Sequence, residues 1–252
     1  MMQRYFIDTP RSEIGSSIKA AGDDFHHMIK VMRMREGDSI IWVTSDGEEA
    51  LCTLAEPGQH DADCHVSEWV TENKELPVHV TIACGLPKGD KLDLIIQKGT
   101  ELGARMFIPF NAARSVVKLD DKKSKKKAER WQKIAKEAAE QSYRNRIPSV
   151  KNPVSLKELV QISKKYDVKI AAYEESAKKG EKSSFSKALE QLSAGQSLLV
   201  ATGPEGGFTL EEIDFLQEQG FITAGFGPRI LRTETAPLYA LAAVSYHFEL
   251  MR

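Results

Sequence analysis

The sequence predicts a small β-barrel over residues 1–72, followed by an α/β domain with a mainly parallel sheet over residues 73–252. Three observations carry this. Short β-prone runs separated by Gly, Asp and Pro fill the first segment, which is the texture of a small barrel. After Pro77, apolar strands alternate with amphipathic helical patterns, and that alternation builds parallel sheets. Two of the later strands also run into glycine-rich turns that lead to helices.

In the first segment the predicted strands are "QRYFID", "SIIWVT", "EALCTLAE" and "DCHVSEWV". One helical pattern, "DDFHHMIKVMR", interrupts them, with Asp23 or Asp24 as the expected N-cap. The charged stretch "TENKELP" reads as a linker ending at Pro77.

The second segment opens on the apolar strand "VHVTIAC". "DKLDLIIQKGTELG" follows, with Leu92, Ile95, Ile96, Gly99 and Leu102 on one helical face and Gly103 as C-cap. "RMFIPF" is the next strand, and a basic helix with Ala128, Trp131, Ile134, Ala135 and Ala138 on its inner face comes after it. Ser155 and Glu158 have the spacing of a capping box at the start of "SLKELVQISKK", as do Thr209 and Glu212 further on. "VKIAAYEE", "SLLVAT" and "FITAGFG" are the remaining strands. A final helix runs from Glu234 to Phe248, capped by Thr233 or Thr235. Its residues are small or apolar nearly all round, so it should be buried on its own domain and on a partner subunit.

Composition narrows the function. The chain of 252 residues is 41% hydrophobic and 28% charged, with a net charge of -1. It has neither a signal-peptide apolar core near its start nor an apolar run of about 18 residues, the length a spanning helix needs. A cytoplasmic protein without membrane attachment is expected. Cys52, Cys64 and Cys84 are too scattered for a disulfide framework. Cys52 and Cys64 with His60 and His65 lack metal-ligand spacing, so no metal is expected. Charge is uneven: between Arg114 and Lys151 stand thirteen Lys or Arg against five Asp or Glu. That stretch is either a solvated helix face or a patch for the phosphates of a nucleic acid.

The stretch "TGPEGGFTLEE" holds three glycines between a strand and a helix, as a phosphate-binding loop does. It lacks the lysine of a P-loop, lies too late in the chain for a dinucleotide fingerprint, and carries Glu205, which would repel an anion. An uncharged or cationic adenosyl compound held by exposed backbone fits better. A second loop, "GFGPRILRTETAP", adds Gly225, Gly227, Arg229 and Arg232. Two such loops at neighbouring strand ends would form a ligand cleft.

At these residues the chain resembles a known family. "LLVATGPEGGFTLEEI" and "GFGPRILRTETAPLYAL" are similar to the SPOUT class of methyltransferases, and specifically to the bacterial RsmE family. The similarity continues in "CGLPKGDKLDLIIQKGTELGARMFIPF", "RSVVK", "ERWQKIAKEAAEQSYRNRIP", "RYFID" and "HHMIKVMRMREGD", and is poorest from Asp120 to Lys127. The resemblance implies a PUA-like barrel, a SPOUT domain with a C-terminal trefoil knot, bound S-adenosylmethionine, and a homodimer formed through the knot. It implies methylation of N3 of a uridine in 16S ribosomal RNA, free or in the small ribosomal subunit. The general avoidance of knots would have predicted a different topology. A ribose 2′-O-methylating relative and a catalytically silent RNA-binding protein are the alternatives.

Under this resemblance, Thr202, Gly203, Glu205, Gly207, Gly227, Ile230, Leu231 and Thr233 hold the cofactor, mainly through backbone groups. Arg229 and Arg232 stabilise the uracil oxygens or fix phosphates. Glu234 is the candidate base, or an orienter of an arginine, or a plain helix-start acid. RNA contacts divide into two basic clusters. Arg4, His27, Lys30, Arg33 and Arg35 lie on the barrel; Lys88, Lys91, Lys98, Arg114, Arg144 and Arg146 follow. Tyr143 either stacks a base or packs.

Overall fold

The computed structural model describes residues 2–117, 121–173 and 184–251. The chain forms two compact units, residues 1–75 with 139–146, and residues 76–138 with 147–252.

The first unit is a five-stranded sheet curled into a PUA-like half-barrel. Its strands are β1 (Gln3–Phe6), β2 (Ser17–Ala21), β3 (Ser39–Val43), β4 (Glu49–Leu54) and β5 (Asp61–Val70), in the order β1-β3-β4-β5-β2. β1 and β3 are parallel and the other pairs antiparallel. Four of the five match the predicted runs. β2, "SIKAA", was not predicted, because its apolar positions are only Ile18 and the small Ala20. Both are buried, and they alternate with exposed residues as one face of a strand must. Tyr5, Ile40, Trp42, Leu54 and Met28 complete the core. Helix α1 (Gly22–His26) starts after Ala21 with no side-chain cap, which corrects the expected Asp cap. It runs into a π-helical turn, His27–Val31, that presses Met28 fully into the core.

The second unit is an α/β/α sandwich. Its strands are β6 (His79–Gly85), β7 (Met106–Asn111), β8 (Ser149–Val150), β9 (Val154–Ser155), β10 (Val168–Ala172), β11 (Ser197–Thr202) and β12 (Ile222–Ala224). All pairs are parallel, in the order β12-β10-β11-β6-β7-β8, with β9 paired to β7. β6 and β11 lie at the centre and are buried along nearly their whole length, hence their mainly apolar sequences. β8 and β9 are two residues each and carry no periodic signal. β10 ends at Ala172, while Glu174 and Glu175 of the predicted strand lie outside the described residues.

Alternate side chains of the sheet enter two cores. Val80, Ile82, Ile170, Leu198 and Val200 meet α2 (Lys91–Glu101), α3 (Asp121–Gln141), α5 (Ser184–Glu190) and α7 (Thr235–Ser245). Ala83, Ile108, Phe110, Leu199 and Ala201 meet α4 (Leu156–Ser163) and α6 (Leu210–Glu218). Each large apolar side chain buried here stabilises the fold by about 1.5–3 kcal/mol. α2 ends at Glu101 with Leu102 as its C-cap, and Gly103 (φ +91), expected as the cap, stands one position further on, its N–H returning to the Thr100 carbonyl at 3.0 Å. Both predicted capping boxes form. α5 was not predicted.

The last helix ends in a second π-helical turn, Tyr246–Leu250, and its N-cap is Glu234 without a side-chain bond, not Thr233 or Thr235. Within the chain, Pro237, Ala240, Leu241, Val244 and Phe248 are buried, whereas Tyr239, Ala242, Tyr246 and Leu250 are exposed. No helix among the described residues is long and apolar enough to cross a membrane.

Candidate functional site

A cleft of about 870 Å³ opens at the C-terminal ends of β10, β11 and β12. Parallel sheets bind ligands at this edge. The two glycine-rich loops form its walls but are not on neighbouring strands: β10 lies between β11 and β12. The end of β10 therefore contributes Ala172 and Tyr173, which sequence reading missed. Ala224, Phe226, Pro204 and Phe208 were missed as well. No local signal distinguishes them from core residues.

The first loop is rigid for identifiable reasons. Gly203 passes so close to Gly207 that a Cβ at 203 would sit 2.8 Å from the Gly207 carbonyl carbon. Gly207 (φ +66) closes a turn, donating to the Pro204 carbonyl at 2.8 Å. Phe208 stacks on Phe110 with centroids 6.1 Å apart. Arg114 Nη1 donates to the carbonyls of Gly206 (2.7 Å) and Phe208 (3.3 Å). Glu212 accepts from the backbone N–H of Thr209 (2.9 Å) and of Ala113 (2.7 Å), tying helix start and neighbouring loop together. Arg114 therefore serves the loop and also lines the cleft.

In the second loop, Gly227 (φ +82) takes a backbone conformation that side chains rarely adopt. Phe226 anchors this loop between the rings of Phe185 (4.8 Å) and Tyr239 (5.8 Å). Arg229, Ile230 and Arg232 are exposed on the cleft wall, Leu231 is half-buried and Thr233 buried. Among the described residues neither arginine has an ion-pair partner.

The cleft thus gathers all eight proposed cofactor residues, Thr202, Gly203, Glu205, Gly207, Gly227, Ile230, Leu231 and Thr233, with Arg229 and Arg232. Glu234 is not on its wall. Its Oε2 is buried, without a hydrogen bond, and 3.5 Å from Lys91 Nζ. Lys91 Nζ also donates to Glu205 Oε1 at 2.9 Å, and this oxygen accepts the Lys88 N–H at 3.1 Å. The bond with Glu205 holds the Lys91 ammonium above the usual lysine range. Partial burial would push Glu205 upward, but Lys91 and backbone N–H groups outweigh it and hold the carboxyl below its usual range. Burial pushes the Cys84 thiol under the cleft floor up to about 12, so it carries no nucleophilic thiolate.

The proposed RNA contacts separate. Lys30, Arg33 (φ +57) and Arg35 are exposed, and His27 Nδ1 is 2.9 Å from the Tyr5 hydroxyl. Arg4 is a correction: it is 3% exposed and bonded to Glu49. Arg144, also 3% exposed, pairs with Glu75. The sequence shows their charge but not the carboxylates, Glu49 and Glu75, that neutralise it. Tyr143 donates its hydroxyl to the Met2 carbonyl and has the Arg4 guanidinium 5.6 Å above its ring, so it packs rather than offering a free face. Arg146 is exposed, Lys88 is exposed, and Lys98 pairs with Glu101 one helical turn on. Among the described residues no group of three or more His, Cys, Asp or Glu could hold a metal.

Comparison with known proteins agrees with this geometry. Residues 74–245 match the model of an RNA methyltransferase domain, and residues 21–67 that of an RNA methyltransferase PUA domain. The ribosomal RNA small subunit methyltransferase E of Bacillus subtilis is 57% identical over all of this chain and 99% of that protein. Its namesake from Synechocystis sp. is 33% identical over 97% of this chain and 78% of that one. A crystal structure of ribosomal RNA small subunit methyltransferase E from Neisseria gonorrhoeae bound to S-adenosyl methionine superposes with a TM-score of 0.85. It has 28% identity and covers 98% of both chains. Likeness of this extent, in sequence as in fold, means that the chain belongs to the ribosomal RNA small subunit methyltransferase E family.

Proposed function

We propose that this protein methylates N3 of a specific uridine in 16S ribosomal RNA, using S-adenosylmethionine, in the cytoplasm and as a homodimer. The observation that carries the reading is a cleft uniting two glycine-rich loops with two arginines that have no ion-pair partner among the described residues. Its residues fit the cofactor. The volume is within the range of small-molecule sites. Ala172, Ala224, Leu231 and Phe226 offer apolar surface, and backbone lies open at Gly207 and Gly227. A Cβ at 207 would meet nothing within 4 Å, and one at 227 only the Tyr239 hydroxyl at 3.8 Å, so both loops leave room at the ligand side.

When bound, the cofactor supplies a methyl group made electrophilic by its sulfonium. The chain's own part is positioning and charge. Loops fixed by Arg114, Glu212 and Phe226 hold one reactant in place before the other arrives, which removes entropy from the barrier. Arg229 and Arg232, on the cleft wall, stabilise the negative charge that grows on the uracil ring as its imide proton passes to solvent water. Glu234, held against Lys91 behind that wall, acts as an orienter and not as the base.

The N-terminal domain, residues 1–72, contributes RNA affinity through Lys30, Arg33 and Arg35, and residues 73–252 carry the chemistry. A C-terminal trefoil knot is part of the proposal. It is supported by the chain returning from the edge strand β12 to place α7 over β6 and β11 at the sheet centre. The exposed row Tyr239, Tyr246 and Leu250 supports the dimer.

The test has two readouts. Calorimetry with S-adenosylmethionine should show one binding site per chain. Mapping 16S RNA from a strain lacking the protein, with and without its restoration, should show one uridine regain an N3 methyl group. Methylation at a ribose hydroxyl, or no cofactor binding, would refute it.

A further inference from the structure

We propose that Lys91 is a positioning residue that sets the spacing of the two glycine-rich loops, and thereby acts on methyl-donor binding and not on RNA. The inference rests on the functional reading above. Its ammonium bridges three elements that are far apart in sequence. Lys91 is the first residue of α2, Glu205 stands in the middle of the first loop, and Glu234 closes the second.

Four features converge. Glu205 Oε1 takes both the Lys91 ammonium and the Lys88 N–H, so the carboxylate is fixed from two sides of one short segment. Among the described residues Glu234 Oε2 is buried without a hydrogen bond, and Lys91, 3.5 Å away, is the charge that offsets it. A lysine at the first turn of a helix opposes the macrodipole, and two carboxylates on it remove that penalty. Finally, an ammonium already engaged by two carboxylates has no surplus positive charge for a phosphate. That argues against the RNA contact expected from sequence, and the position of Lys91 in the cleft wall agrees. Without Lys91, two carboxylates on facing loops would repel each other and the cleft would widen.

The test compares Lys91→Met, Lys91→Arg, Glu205→Gln and the double variant Lys91→Met/Glu205→Gln as full-length protein. S-adenosylmethionine affinity is read by calorimetry, and KM for each substrate and kcat by methyl transfer. Lys91→Met should raise the cofactor Kd and KM roughly three- to thirtyfold, since two partners lose their counter-charge. The KM for RNA and its salt dependence should not change. Lys91→Arg should restore most of the affinity, and the double variant should be no worse than Lys91→Met alone. Unchanged cofactor affinity in Lys91→Met overturns the inference. So does a loss confined to RNA affinity with a shallower salt dependence, or failure of Lys91→Arg to rescue. Should Lys91→Met not fold, Glu234→Gln decides, because it breaks the same bridge from the second loop at a residue off the cleft wall: a raised cofactor Kd with unchanged RNA affinity supports the inference, and an unchanged Kd overturns it. Absence of cofactor binding or methyl transfer by the unaltered protein would instead refute the proposed function.

Discussion

Arg4 and Glu49 hold each other through both terminal guanidinium nitrogens, with side chains only 1% and 2% exposed. The same arginine donates through Nε to the Arg144 carbonyl at 3.0 Å, and Asn145 adds a 2.8 Å bond to Glu49. Removing one partner of such a pair strands a buried charge. Arg4→Ala should therefore destabilise the protein by about 3–5 kcal/mol, measured by urea denaturation. Cofactor affinity of the folded fraction should be unchanged.

Gly203 and Gly227 should respond differently to alanine. At Gly203 the added carbon would meet backbone, which cannot swing aside, so the first loop must move and cofactor affinity should fall at least tenfold. At Gly227 there is space, and the cost is the positive φ, about 1 kcal/mol of strain. Calorimetry on both variants would separate a steric requirement from a conformational one.

Leu241 is fully buried within its own chain, near the point where Gly99 of α2 lets the helices approach. Leu241→Lys would therefore unfold the protein and say nothing about self-association. Tyr246→Glu is the better probe, since Tyr246 is 57% exposed on the same C-terminal segment. Light scattering should show a dimer for the unaltered protein and a monomer of unchanged thermal stability per chain for the variant.

The two sets of basic residues should separate in kinetics. Arg33→Glu with Arg35→Glu should weaken RNA binding and flatten its salt dependence by roughly 0.7 to 0.9 log units per lost phosphate contact. Arg232→Ala should lower the rate at saturating RNA more than it lowers RNA affinity, because its interaction forms mainly in the transition state. A pure affinity loss in Arg232→Ala would make that residue a docking contact.

The cap of α4 has a pH signature. The Ser155 backbone N–H, 2.7 Å from Glu158 Oε2, holds this carboxyl below its usual range. Its contribution is therefore complete at neutral pH and is lost as pH falls from the ordinary carboxylate value through the lowered one. Glu158→Gln should abolish this pH dependence while leaving the Ser155 cap in place, as read from urea midpoints at several pH values.

The sequence by itself determined whatever depends on neighbours within a few residues. The alternation of apolar strands with helical patterns announced a parallel sheet, and both capping boxes and the glycine turn just after α2 were legible from spacing alone. The glycine-rich loops, with Arg229 and Arg232, were visible for the same reason. Tertiary structure decided the rest. Only packing showed that Arg4 and Arg144 pair with Glu49 and Glu75, that β10 separates the two loops and brings Tyr173 to the cleft, and that Lys91 meets Glu205, 114 positions away, and Glu234. Charge and periodicity are properties of a residue and its turn of chain. Which opposite charge lies 3 Å away is set by how strands and helices far apart in sequence come to share a core.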